Sequence, residues 1–387
     1  MRILIAHNSY QQHGGEDVVF ENEARHLELA GHNVCKLVVS NDLIKSTSDK
    51  IRATLGTVEN SIGMKAVDEN IRQFCPDVMH VHNFFPLLSP AIYQISRNAG
   101  VAVVQTLHNF RPICASGDLL RNGKVCLSCV PGKSIWGVVH RCYRDSFVAS
   151  AAVARMIAVH RRQGTWLCRV DRYIALTQFA RDVFVKGGFP SNRIEVKPNF
   201  IDDPGPPLDA IVRNGVLFVG RLSIEKGVST LIDAARCFGF PLRIAGIGPD
   251  MLELQKYATS NVVFLGQISR EMVLDEMRRA VAVVLPSVWY EGFPMVILEA
   301  FACATPVIAS DLGGPSEIIQ DGRTGCLTPP GDSAALGECI KRVLENVDFA
   351  RQLGMAARKL FTERYTPHTN IMQLEGIYLR AVEELKQ

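Results

Sequence analysis

The chain has 387 residues, 47% of them hydrophobic and 21% charged, which excludes a disordered chain and suggests two domains, three at most. At this length ~70–75% of the unfolded surface can be buried, so neither a disulfide nor a metal is needed for basic stability. The net charge of +3 hides an asymmetry, because residues 1–200 carry 24 Lys+Arg against 16 Asp+Glu and the remainder 18 against 23.

Short β-branched runs alternate with helical patterns from the first residue on, the signature of parallel α/β domains. The opening Met1-Arg2-Ile3-Leu4-Ile5-Ala6-His7-Asn8 has too short an apolar run for a signal peptide and reads as a first core strand, Arg2–Ala6. No window holds 18 uncharged apolar residues, so a spanning helix is not expected. Eleven cysteines, an odd number without a leader, point to a reducing, cytoplasmic setting. After the first strand, His13-Gly14-Gly15-Glu16 leads into a helix whose N-terminus favours anions. Strands follow at Val34–Val39, Val78–Val81 and Val101–Thr106. His80 and His82 close one of them, and with only one face able to point inward they are secondary candidates. His108 lies just past the next, placed to donate a hydrogen bond to a sugar hydroxyl or phosphate; a lone histidine is more often structural.

Cys114, Cys126, Cys129 and Cys142 then form C-x11-C-x2-C-x12-C within a Cys-rich insertion at about 112–145. Asn122-Gly123 between the first two is a strong hairpin signal. A hairpin followed by C-x2-C suggests a zinc ribbon, and four thiolates suit tetrahedral zinc. Unligated thiols, an iron–sulfur cluster and disulfides are the alternatives. Residues 131–190 hold ten Lys+Arg against three Asp, with tryptophan and phenylalanine interleaved. That composition fits an anionic membrane surface or nucleic-acid phosphates, or simply a solvated basic face. Strands at Arg172–Leu176 and Ile194–Val196 complete a first domain, 1–198. The proline-rich 199–214 reads as a linker.

The second series of strands runs Val216–Val219, Leu242–Ala245, Val262–Leu265, Val281–Leu285, Pro306–Ala309 and Gly325–Leu327, within 215–368. Its first strand runs into Gly220-Arg221-Leu222-Ser223-Ile224-Glu225-Lys226-Gly227, which sets two cations in a loop before a helix, a sound arrangement for a diphosphate. Gly246-Ile247-Gly248-Pro249 lacks the third glycine of a dinucleotide fingerprint and reads as a tight turn. Glu291 and Glu299 follow a later strand; were both helical they would stand ~12 Å apart, wider than the ~5–9.5 Å of a glycosidase pair. Either they hold different parts of one long ligand, Glu291 near phosphate and Glu299 near ribose hydroxyls, or they are two incidental glutamates of a helix. Helical spacing of Ile371, Leu374, Tyr378, Val382 and Leu385 marks a closing helix, 369–387, expected to pack back on the first domain.

Together the E-x7-E pair, the GR-x4-KG loop and the run Pro306 to Ile319 resemble the retaining glycosyltransferases of family 4, over almost the whole chain. The resemblance implies an α/β, GT-B fold: two Rossmann-like domains facing a central cleft. It implies a nucleotide diphosphate sugar donor, with Arg221 and Lys226 on the diphosphate, Glu299 on the ribose, and Glu291 with the Gly292–Phe293 backbone on the sugar. It assigns Gly14 and Gly15 to the donor phosphate and acceptor, and makes His108 functional; Asn109 stands where many members have Asp. No catalytic metal or other catalytic cofactor is implied, and no D-x-D triplet is present. Surface polysaccharide or glycolipid assembly is the expected setting, with a lipid-linked saccharide acceptor at the inner face of the membrane and no nucleic-acid partner. The rival readings are a GT-B nucleotide-sugar epimerase or hydrolase, and a zinc-containing nucleic-acid-binding protein.

Overall fold

A computed structural model describes residues 1–11, 14–205 and 212–386. His13 and part of the expected 199–214 linker lie outside the described residues. The chain divides into two compact units, one of Met1–Leu119, Cys126–Asn199 and Pro367–Gln387, the other of Leu120–Val125 and Phe200–Thr366.

The first unit is built on six parallel strands, β1 (Arg2–Ser9), β2 (Asn33–Ser40), β3 (Val78–Asn83), β4 (Ala102–Leu107), and, after the short hairpin strands β5 (Leu120–Arg121) and β6 (Lys124–Val125), β7 (Arg172–Ala175) and β8 (Ile194–Val196). Their order is β2-β1-β3-β4-β7-β8. β3 and β4 are buried along their whole length, their apolar starts Val78–Met79 and Ala102–Val104 giving way to the buried polar residues His80, His82, Asn83, Gln105 and Thr106 toward the carboxyl ends. The helix Pro367–Leu385 lays Ile371, Leu374, Ile377 and Tyr378 against Ile3, Val78, Ala102 and Val104 of this sheet.

The second unit has β9 (Val216–Val219), β10 (Leu242–Ala245), β11 (Val262–Gly266), β12 (Ala282–Leu285), β13 (Val307–Ser310) and β14 (Gly325–Thr328). Their order, β11-β10-β9-β12-β13-β14 and parallel throughout, is the 3-2-1-4-5-6 winding of dinucleotide-binding domains. In each unit the strand order reverses beside the first strand, and ligands of such sheets bind outside the carboxyl ends at that point. In the first unit these ends are β1 and β3, in the second β9 and β12. Phe200 and Ile201 are buried, Ile201 in the second unit's core, so the expected linker begins inside a packed domain.

The Asn122-Gly123 signal gives a hairpin, with both residues at positive φ (50° and 69°) and Cys126 N–H closing it onto the Leu119 carbonyl at 2.7 Å.

Candidate functional site

In the second unit, three loops meet at the carboxyl ends of β9, β10 and β12, and glycines let them do so. A Cβ at Gly246 would lie 1.9 Å from the Gly220 carbonyl oxygen, one at Gly248 would lie 2.1 Å from that of Leu222, and one at Gly227 would lie 1.9 Å from that of Pro286. Gly227 also sits at φ +65° and opens the helix Val228–Phe238, so both its space and its conformation exclude a side chain. The turn Gly246–Pro249 is thus structural, as its sequence suggested.

This packing brings Lys226 to Glu291. Lys226 Nζ donates to Glu291 Oε1 at 2.6 Å, and Ser287 Oγ donates to the same oxygen at 2.8 Å. Burial alone would raise the Glu291 carboxyl; Lys226 first, then Ser287, hold it below its ordinary value. The Lys226 ammonium also lies 5.3 Å from the centre of the Trp289 ring. Arg221 is exposed, with no hydrogen bond or ion pair for its guanidinium among the described residues. Glu291 is in the loop and the helix begins only at Met295, so the premise behind the ~12 Å estimate, both carboxylates on one helix, does not hold. Gly314 N–H donates to the Glu291 carbonyl at 2.8 Å, and a Cβ at Gly314 would lie 2.3 Å from the Gly292 carbonyl oxygen. That is the physical need for the second glycine of Gly313-Gly314. Phe293 turns its ring toward Tyr365 and the core, leaving its backbone for a ligand. Glu299, on the helix Met295–Ala302, is half-buried and raised by burial against the pull of Arg270, 3.7 Å away. Ser287, Trp289 and Arg270 were not singled out from sequence.

In the first unit, Gly14 caps the helix Gly15–Leu29 with an extended backbone, and its N–H donates to Asp17 Oδ2 at 2.8 Å. Asp17 Oδ1 meets His7 Nε2 at 2.9 Å. No Cβ clash or positive φ demands a glycine at 14; what the residue supplies is a bare helix N-terminus. Asn109 donates to Glu16 Oε1 at 2.9 Å, a contact that a second carboxylate in its place would turn into repulsion.

His108 is the outer member of a buried chain. Its Nε2 lies 2.9 Å from His82 Nδ1, and the two rings stack at 5.1 Å. His82 Nε2 faces Glu23 Oε2 at 3.3 Å, and Glu23 Oε1 accepts a hydrogen bond from Lys197 Nζ at 2.8 Å, which also donates to Asn370 Oδ1 at 2.8 Å. Glu23 is 0% and Lys197 1% exposed. Burial pushes the Glu23 carboxyl up, and Lys197 followed by the two histidines overrides this and holds it well below its ordinary value. Burial likewise depresses His80, His82 and His108, so all three are neutral at pH 7. A neutral His82 facing a carboxylate keeps its proton on Nε2. Its Nδ1 then accepts from His108 Nε2–H, and the nitrogen His108 offers outward is the acceptor Nδ1. On this tautomer the outward face of the ring accepts, where the sequence reading expected it to donate.

His80 and His82, two residues apart, share one face of β3 and are both buried, correcting the expectation that only one could point inward. His80 meets Tyr378 OH and Thr106 Oγ1, each at 2.8 Å. The ligand atoms of Glu23, His80 and His82 lie within 4.8 Å of one another. Lys197 occupies the same carboxylate and both His80 nitrogens are engaged, so the trio reads as an ion-pair network rather than a metal site. Sequence reading missed Glu23 and Lys197 altogether.

The four cysteines all belong to the first unit. Burial, then Cys114, Cys142 and Cys126, push the Cys129 thiol up to about 11, while the Gly137 N–H works the other way. Among the described residues no three cysteine sulfurs come within 4.8 Å of one another.

Two family signatures match: the Glycosyltransferase Family 4 profile over residues 13–203 and the Glycosyl transferases group 1 profile over 212–360. The first runs across 112–145, so nothing sets that segment apart as an insertion. Alpha-maltose-1-phosphate synthase of Mycolicibacterium smegmatis is 32% identical over 51% of this chain and 59% of its own. Phosphatidyl-myo-inositol mannosyltransferase of Mycobacterium leprae is 33% identical over 55% of this chain and 60% of its own. The chain thus matches about three fifths of the length of these relatives. Among solved structures, sucrose-phosphate synthase from Thermosynechococcus elongatus superposes with a TM-score of 0.74 at 20% identity, covering 98% of this chain and 99% of that one. HepE of Anabaena, solved in complex with UDP, does so at 0.68 and 19% identity, covering 97% and 99%. These similarities establish the GT-B fold. With both signatures in place and Glu291, the GR-x4-KG loop and the Gly313-Gly314 turn folded together beyond the carboxyl ends of one sheet, the chain belongs to glycosyltransferase family 4, the group 1 glycosyltransferases.

Proposed function

We propose that this chain is a retaining glycosyltransferase that moves a sugar from a nucleotide diphosphate sugar to an acceptor hydroxyl in surface polysaccharide or glycolipid assembly. The observation that carries the reading is the Lys226–Glu291 contact at 2.6 Å at the reversal point of a 3-2-1-4-5-6 sheet, with the unpaired Arg221 in the same loop. An ammonium and a guanidinium there suit a diphosphate. Glu299 accepts from ribose hydroxyls, and Glu291 with the Gly292–Phe293 backbone holds the sugar. The names of relatives that make maltose-1-phosphate or mannosylated phosphatidylinositol, and a UDP-bound structural neighbour, support this class of donor and product.

In the reaction the bond between the anomeric carbon and the phosphate oxygen breaks, its electron pair going to the departing nucleotide diphosphate. The acceptor oxygen bonds to the oxocarbenium-like carbon on the same face, and its proton passes to the leaving phosphate. Arg221 and Lys226 stabilise the charge that grows there. None of these steps draws on a metal. From the first unit, Gly14, Gly15 and His108 are assigned to the reaction by family resemblance, His108 through its acceptor nitrogen.

The acceptor is proposed to be lipid-linked, which makes the enzyme a peripheral one at an anionic, cytoplasmic membrane face. Among the described residues no helix is long and apolar enough to cross a membrane. Ile135, Trp136, Val139, Phe147 and Val148 are exposed, Phe147 and Val148 at 59% and 69%, among the exposed cations Lys133, Arg141, Arg144 and Arg155. Apolar and basic side chains so interleaved suit lipid headgroups.

A thermal-shift screen against UDP-, GDP-, ADP- and dTDP-sugars tests the donor reading: one nucleotide series stabilises the chain, and no shift with any of them rejects it. Incubation with donor alone separates the rival. Fast release of free sugar or an epimer without acceptor marks a hydrolase or epimerase instead.

A further inference from the structure

We infer that Cys114, Cys126, Cys129 and Cys142 form a structural zinc site that staples the segment following His108. Two of the four, Cys129 and Cys142, and the neighbour of a third, Ala115, meet one backbone position, Gly137, in the helix Ile135–Val139. A Cβ there would lie 3.9 Å from Cys129 Sγ and 2.6 Å from the Cβ of Ala115, the neighbour of Cys114. The Gly137 carbonyl accepts Cys142 N–H at 2.9 Å, and the Gly137 N–H, which donates to the Ser134 carbonyl at 3.0 Å, also lies beside Cys129 sulfur. Amide-to-sulfur bonds of this kind stabilise metal-bound thiolates, as outer-shell hydrogen bonds do for metal ligands generally. Cys126, whose N–H closes the Leu120–Val125 hairpin, sits three residues before Cys129. The result is a C-x2-C turn fed by a hairpin. Four thiolates held close together repel one another, and a divalent cation converts that repulsion into attraction.

The backbone supplies a second, separate reason. Between 112 and 146 the regular structure amounts to two strands of two residues and a helix of five. Among the described residues the left-handed non-glycine positions concentrate here: Leu119, Asn122, Arg141, Arg144 and Asp145, against Cys75, Ser89 and Ala304 elsewhere. Each such residue costs roughly 1–3 kcal/mol and persists only where surrounding structure fixes it. Turn hydrogen bonds and a small buried core hold part of this segment, and a metal adds to such support in small ribbons. The net charge of a four-thiolate zinc site, two negative, is balanced by the exposed Lys124, Lys133, Arg141 and Arg144. The sulfurs stand wider than the ~3.8 Å spacing that zinc–sulfur bonds of about 2.3 Å impose, so metal binding draws them inward. The staple begins six residues after His108, in a loop tied by the Phe110 N–H to the Gly117 carbonyl at 2.8 Å. Holding the segment holds that ring.

The test is elemental analysis of the full chain produced with zinc and dialysed without chelator, followed by a mercurial titration that counts thiols while zinc is released. One zinc per chain, released as four thiols react, is expected, with a tetrahedral thiolate spectrum on cobalt exchange. Cys126→Ser and Cys129→Ser lose the metal, whereas Cys75→Ser and Cys237→Ser, at exposed positions, retain it. Chelation speeds tryptic cleavage at Lys124, Lys133, Arg141 and Arg144 at least tenfold. The titration and the cleavage use the native chain, so a variant that fails to fold does not decide the matter. A chain that holds no zinc and gives no cobalt spectrum overturns the inference, as do iron with sulfide, or disulfides found by mass.

Discussion

Replacing Lys197 with methionine removes the ammonium paired with a fully buried carboxylate, Glu23. Lys197 Nζ is 2.8 Å from Glu23 Oε1 and from Asn370 Oδ1, and the two charged residues are 1% and 0% exposed. Breaking such a pair from one side strands a charge and costs about 3–5 kcal/mol. In a domain of this size that lowers the midpoint by roughly 6–20 °C, at about 2–4 °C per kcal/mol. Removing both partners, as Lys197→Met with Glu23→Leu, restores most of the loss, because no unpaired charge is left. The sign of the pH effect follows from Glu23. In the native chain its carboxyl is held below its ordinary value, a contribution present above the unfolded pKa and lost as pH falls through the folded one. In Lys197→Met, burial without its partner raises the same carboxyl above the unfolded value. The variant's deficit is therefore largest near pH 8 and shrinks toward pH 5. Calorimetric melts of the native chain, the single and the double variant, at both pH values, give the comparison. A single variant within about 1 kcal/mol of native, or a double variant worse than the single, refutes the reasoning.

The three neutral histidines make the fold acid-labile on their own account. Their folded values lie below the ordinary one, so the unfolded chain binds more protons and stability falls as pH drops below ~6.5; a midpoint flat from pH 7.5 to 5.5 contradicts this. Nitrogen-15 NMR of histidine-labelled protein at pH 7.5 is expected to find His108 protonated at Nε2 and bare at Nδ1, and the opposite tautomer breaks the chain drawn to Glu23. Vesicles containing anionic phosphatidylglycerol are expected to sediment the protein, less so as salt rises, and Trp136→Ala with Arg141→Glu to weaken this severalfold. Equal sedimentation with neutral phosphatidylcholine vesicles removes the electrostatic part of the membrane reading.

The twelve strands of the two large sheets were legible to within three residues, β1 being the furthest out, because buried parallel strands carry apolar, β-branched runs, as in Val216–Val219 and Ala282–Leu285. The donor-side motif was legible because its residues are local: Gly220 to Gly227 is one loop. The relay behind His108 was not, because Lys197 and Glu23 are 174 residues apart and a lysine after Ile194-Glu195-Val196 looks like a solvated strand end. Its only sequence signal was a charge next to a proline at the carboxyl edge of a core strand, which is where such sheets place ligands. The same-face placement of His80 and His82 follows directly from the two-residue period of a strand and was open to sequence reasoning. The cysteine spacing was readable, but the convergence on Gly137 was not, since no periodicity links that glycine to Cys114 or Cys142.

The most direct test of the central claim is the kinetics of Glu291→Ala and Glu299→Ala with the donor found by the screen. Glu291→Ala is expected to cut turnover at least a hundredfold with donor affinity within a few fold of native, and Glu299→Ala to raise the donor Kd at least tenfold with turnover at saturation largely kept. If both variants transfer sugar at native rates and bind donor as tightly as the native chain, the Lys226–Glu291 edge of the second sheet is not the donor site.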